Sequence, residues 1–73
     1  MICINEGYTH LFKKFSGEYV YPVTKDIYLA FDYDKRYIGV EMFYRPYNSN
    51  LIYKTCDIKL NELISKGILE IRW

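Results

Sequence analysis

Ile27-Tyr28-Leu29-Ala30-Phe31-Asp32-Tyr33 and Ile38-Gly39-Val40-Glu41-Met42-Phe43-Tyr44 decide the fold. Each segment alternates with period two and is rich in β-branched and aromatic residues, so the pair reads as two antiparallel strands. With Tyr33 set opposite Ile38, Phe31 faces Val40, Leu29 faces Met42 and Ile27 faces Tyr44, all on one side. Tyr28 with Phe43, Ala30 with Glu41 and Asp32 with Gly39 then lie on the other side. This register assigns Phe31, Tyr33 and Tyr44 to the core and leaves Tyr28, Tyr37 and Phe43 outside it. Asp34-Lys35-Arg36-Tyr37 lacks the Asn-Gly or Gly-Gly of a primed turn, so a loop built on a type I turn is expected there. Gly39 inside a strand marks a bulge or makes room for a neighbouring ring.

Downstream, Pro46-Tyr47-Asn48-Ser49-Asn50 is dense turn chemistry that returns the chain into Leu51 to Cys56, read as a third antiparallel strand. Asp57 is a suitable helix cap, and Leu60, Leu63 and Ile64 recur at helical spacing before Lys66-Gly67, so a helix is expected over 58–66. The tail from Ile68 to Trp73 alternates again, with Leu69, Ile71 and Trp73 on one face. It is expected to join the sheet and to bury Trp73.

The first third admits two readings. Tyr8, Leu11, Phe12 and Phe15 fit one helical face, with Thr9 as a cap and Gly17 as a stop, which favours a short helix over 9–15. Ser16-Gly17 can equally turn a hairpin into the strand-like Glu18-Tyr19-Val20-Tyr21, a strand that Pro22 ends or confines to an edge. The expected fold is therefore one small α+β domain. It comprises a mostly antiparallel sheet of about four to six strands, with the 58–66 helix on one face and a short helix near 9–15.

The chain has 73 residues, of which 51% are hydrophobic and 19% aromatic, and its net charge is +1. Disorder and a second domain are excluded on these grounds. At this size burial and conformational entropy nearly cancel, so tyrosine and phenylalanine must supply much of the buried surface. Near-neutral charge without long like-charged runs argues against a strongly basic nucleic-acid binder and against a polyanionic mimic. No apolar run approaches the roughly 20 residues of a membrane span. The first residues show neither a basic leader nor a long apolar stretch, which makes the cytoplasm the expected location.

Catalytic and metal-binding constellations are sparse. Cys3, Cys56 and His10 are the only Cys and His residues, too few for a tetrahedral zinc site, and the cysteines read as buried free thiols. Asp32, Asp34 and Glu41 could offer oxygen ligands near the hairpin tip, but such acids ordinarily solvate a strand end. Cys3 with His10 as its base would need a cleft that so small a chain hardly accommodates. No metal, cofactor or enzymatic activity is expected.

Tyr28, Tyr37, Phe43, Arg45 and Tyr47 remain, the residue types that dominate protein-binding hot spots. The expected function is a non-enzymatic protein-binding module. One alanine, no glutamine and abundant Ile, Lys, Asn and Tyr suggest an AT-rich source. Short proteins of that composition are often carried by phages, viruses or other mobile elements, which points to an inhibitor of a host protein, of the anti-defence or anti-CRISPR kind. The competing reading is a nucleic-acid module that stacks bases on tyrosines and meets phosphates with Lys13, Lys14, Lys35, Arg36 and Arg45. Homodimerisation through an exposed strand, Leu51 to Cys56 or the last strand, is a further expectation.

Overall fold

The computed structural model describes residues 1–43 and 49–73. It is an α+β fold with a four-stranded antiparallel sheet, a two-stranded ribbon and one helix packed against them. In chain order the elements are β1 (Ile2–Ile4), a 3₁₀ segment (Glu6–Leu11), β2 (Lys13–Phe15), β3 (Glu18–Pro22), β4 (Ile27–Phe31), β5 (Tyr37–Met42), α1 (Ser49–Ser65) and β6 (Leu69–Ile71). The sheet order is β2-β3-β4-β5, and β1 pairs with β6.

Of the two readings of the first third, the hairpin prevails over the 9–15 helix. Ser16 and Gly17 have φ of 50° and 85°, and Phe15 pairs with Glu18, which makes a two-residue turn of the primed kind. Only Phe12 of the supposed helical face is buried. Its ring meets Phe31 edge to face at 5.2 Å and Tyr21 at 5.3 Å, while Tyr8, Leu11 and Phe15 stay exposed. A helix would have offered all four side chains to the core together, whereas the hairpin buries the one that fits. β3 ends at Pro22, as a residue without an N–H requires.

The β4–β5 hairpin forms in a different register. The loop is Tyr33-Asp34-Lys35, closed by the Asp32 N–H donating to Arg36 O at 2.8 Å, with Lys35 at φ 69°. The Asp32 carboxylate holds it by accepting from the N–H groups of Asp34 (2.8 Å) and Arg36 (2.9 Å). A bulge follows: Phe31 pairs with Tyr37 but Ala30 pairs with Gly39, so Ile38 is the extra residue. Beyond it Leu29 faces Val40 and Ile27 faces Met42, two residues away from the expected partners. A shift of two preserves the faces there, but the bulge turns Tyr37 inward and Ile38 outward. Tyr33, assigned to the core, is 75% exposed at the loop. The expected pairing of Ile27 with Tyr44 involves a residue outside the described ones.

The strand expected at Leu51 to Cys56 is helical, and the helix expected over 58–66 spans Ser49–Ser65. Ile52 and Cys56 extend the stripe of Leu60, Leu63 and Ile64 by one more turn each, and burial of that stripe overrides local β-propensity. Asp57 sits exposed mid-helix instead of capping it. Thr55 Oγ1 donates to Leu51 O at 2.9 Å, which satisfies its hydroxyl within the helix. Gly67, at φ 77°, ends the helix: its N–H donates to Ile64 O (3.1 Å) and the Ile68 N–H to Leu63 O (3.0 Å). Asn5 Nδ2 then donates to Gly67 O at 3.0 Å and pins that end to the amino-terminal segment.

The last strand pairs with β1 and not with the main sheet. Ile4 and Leu69 point into the core from this ribbon, and the ribbon joins the hairpin tip through the Ile4 N–H, which donates to Lys35 O at 2.9 Å. Trp73 lies beyond the ribbon and is fully exposed, so it contributes nothing to the core that was expected to need it. Ile4, Phe12, Ile27, Leu29, Phe31, Cys56, Leu60, Leu63 and Leu69 form that core between the inner face of the sheet, the helix and the ribbon.

Candidate functional site

The strand registers set Lys13, Val20, Ala30 and Gly39 in one row across the outer face of the sheet, away from the helix. Alternation puts Phe15 and Glu18 on one side of this row and Pro22, Tyr28 and Glu41 on the other. Val20 and Ala30 are 9% and 1% exposed yet lie outside the core cluster. They form a floor that the chain's own aromatic side chains wall in. The result is a groove of about 330 Å³ lined by Lys13, Lys14, Phe15, Val20, Tyr28, Glu41 and Phe43.

One wall is fixed. Tyr28 and Phe43 meet edge to face with centroids 5.6 Å apart, and the Tyr28 hydroxyl donates to Lys25 O at 3.0 Å. Phe43 is itself held by its N–H, which donates to Asp26 O at 2.9 Å. Phe15 forms the facing wall from the last position of β2. Phe15 and Phe43 are 70% and 78% exposed, so most of both rings meets water. Burial, the charge of Glu18 and a hydrogen bond shared with the Glu18 carboxyl hold Glu41 above the usual carboxylate value. Neither Lys13 nor Glu41 belongs to an ion pair among the described residues, where the pairs are Lys59 and Lys66 with Glu62, and Arg72 with Glu70.

Of the residues expected to form a binding face, Tyr28 and Phe43 are brought together. Tyr37 is not with them. Its ring packs on Phe31 at 5.5 Å on the inner face, and burial followed by the charges of Cys56 and Asp57 raises its phenol above the ordinary value. Arg45 and Tyr47 lie outside the described residues. Phe15 was missed, and Lys13 was named only as a phosphate contact; the Ser16-Gly17 hairpin was the signal that would have placed both on this face.

The groups considered for catalysis stand apart. Cys3 and Cys56 are buried free thiols, and burial followed by Asp57 pushes the Cys56 thiol up. His10 is exposed at the end of the 3₁₀ segment. Asp32 is engaged in the loop, and Glu41 belongs to the outer groove. Among the described residues no three or more His, Cys, Asp and Glu side chains are grouped to hold a metal ion. No described helix is long and apolar enough to cross a membrane.

A second, more polar hollow of about 220 Å³ lies where the hairpin tip meets the ribbon, lined by Ile4, Glu6, Tyr33, Asp34, Lys35 and Arg72. Its charges balance and it has no fixed aromatic wall. Compared with known protein families, curated proteins and solved structures, the chain matches none.

Proposed function

We propose that the chain is a non-enzymatic protein-binding module that holds its partner against the outer face of the β2-β3-β4-β5 sheet. The observation that carries this reading is the exposed aromatic groove itself. Two phenylalanines stand mostly in water over a buried floor, and large rigid rings with few rotors are the groups from which protein contacts draw most of their energy. Occupying a partner's surface is enough to block it, so the inhibitor reading is one form of this function.

The nucleic-acid reading draws less support, because the two lysines that line the aromatic groove, Lys13 and Lys14, share it with the carboxylate of Glu41. Lys14 is also drawn to the Tyr19 ring, its Nζ 5.6 Å from the centroid. Lys35 and Arg36 are at the hairpin tip, away from the groove.

Affinity capture with the tagged chain tests the proposal, with an untagged copy of the chain added to the lysate. The wild type and a Phe15→Ser, Phe43→Ser variant are compared by quantitative mass spectrometry. Proteins retained by the wild type and lost with the variant are expected. Identical retention by both would contradict the assignment of the face.

A further inference from the structure

The outer groove carries charges of both signs, with Lys13 and Lys14 on one edge and Glu41, against the Glu18 carboxyl, towards the other. Lys13 is on β2 and Glu41 is on β5, the two edge strands of the sheet, and both side chains project from the same face. A surface that binds a copy of itself about a two-fold axis must be its own complement. If the axis lies between two stacked outer faces, inclined to the strands so that it bisects the diagonal from Lys13 to Glu41, β2 of each copy crosses over β5 of the other. Lys13 of each then meets Glu41 of its partner copy, and Phe15 and Phe43 cover the two floors between them.

The edges of the same sheet are guarded against the alternative, strand-to-strand addition. β2 is only Lys13–Phe15 and begins with two lysines, while β5 is interrupted by the bulge at Ile38 and carries Glu41. The segment Leu51 to Cys56, which was expected to offer an edge, is helical. The other expected edge, β6, pairs on one side with β1 and is only Leu69–Ile71, too short to add a stable strand, so association is directed to the face.

We infer that the occupant of the outer face is a second copy of this chain, its sheet stacked on the first with Lys13 set against Glu41 across the two-fold axis. This rests on the reading of that face as the binding surface and names its partner. Three strands of five or six residues and the three-residue β2 give a footprint of at most roughly 19 by 17 Å, which is small for a permanent interface and points to a weak, concentration-dependent dimer.

Sedimentation equilibrium on four samples tests it: the wild type, Lys13→Glu, Glu41→Lys, and an equimolar mixture of the two variants. The wild type is expected to dimerise as concentration rises. Each variant alone sets like charges together and should associate about tenfold more weakly or worse. The mixture restores both pairs and should dimerise as the wild type does, a recovery that a misfolded variant could not show. A wild type that stays monomeric at the highest attainable concentration, or a mixture that stays monomeric, overturns the inference. If capture of a different protein still depends on Phe15 and Phe43, the second copy is the wrong occupant and the binding face stands. If neither copy nor partner depends on them, both readings fall.

Discussion

Tyr28 and Phe43 meet edge to face across the β4–β5 edge of the outer groove, their planes at 83°. The Tyr28 hydroxyl, bonded to Lys25 O, keeps this wall upright, so the ring surface offered to a partner is fixed before anything binds.

Phe43→Ala should therefore separate stability from binding. It removes one aromatic pair and little buried area, a loss of about 1 kcal/mol in urea denaturation. Binding at the outer face should weaken far more, by an amount typical of a hot-spot residue, about 2 kcal/mol or above. Tyr28→Phe deletes only the bond to Lys25 and should cost about 1 kcal/mol of stability.

The β2–β3 hairpin makes a second prediction. Ser16 holds a left-handed conformation that asparagine adopts more readily, so Ser16→Asn should raise the melting temperature. Gly17→Ala puts a Cβ at φ 85° and should lower stability by about 1–2 kcal/mol, measured by thermal denaturation. The pair of outcomes identifies a hairpin, because in a 9–15 helix Gly17 would be the stop and Ser16→Asn would bring no gain.

Phe31 and Tyr37 give the third. Phe31 is completely buried, and Phe31→Ala should cost about 3–5 kcal/mol, a large share of what so small a domain has. Tyr37→Ala should also destabilise, because its ring packs on Phe31 and the core, whereas a surface tyrosine would be replaced at almost no cost. Denaturant midpoints of the two variants decide the matter.

The α1 carboxylate Glu62 supplies a pH dependence. Hydrogen bonds from Lys66 and Lys59, and then their charges, hold Glu62 below the usual carboxylate value. A lowered carboxyl contributes stability that is present above its unfolded value and is lost as pH falls through the folded one. Lys66, raised by its bond to Glu62, contributes below its ordinary value and loses that contribution as pH rises through the raised one. Glu62→Gln should flatten the acid limb of melting temperature against pH by a small amount. Salt should shrink the difference between the two proteins, as all three groups face solvent.

Strand periodicity made the centre of the fold legible: Leu29, Phe31 and Ile27 point into the core as their alternation required, and a bulge lies beside Gly39, at Ile38. The exact partners were not legible, because register depends on how the Asp32 side chain closes a shorter loop. That one event moved Tyr33 and Ile38 to solvent and Tyr37 inward. At Leu51 to Cys56 local β-propensity and a helical stripe coexist in the same residues, and only the core that Ile52 and Cys56 join chooses between them. Half of the groove was visible as Tyr28 and Phe43. The other half, Phe15 and Lys13, depended on whether Ser16-Gly17 turns a hairpin, a matter settled by the burial of Phe12 some distance away in the fold.

The central claim is that this protein binds protein through the outer sheet face, and a site-specific photo-cross-linker tests it most directly. The reactive group is placed in turn at Phe15, on that face, and at Ile58, exposed on the helix. Cross-linking to a protein, whether a second copy or another chain, is predicted from position 15 and not from position 58. Adducts from position 58 with none from position 15 would contradict the account.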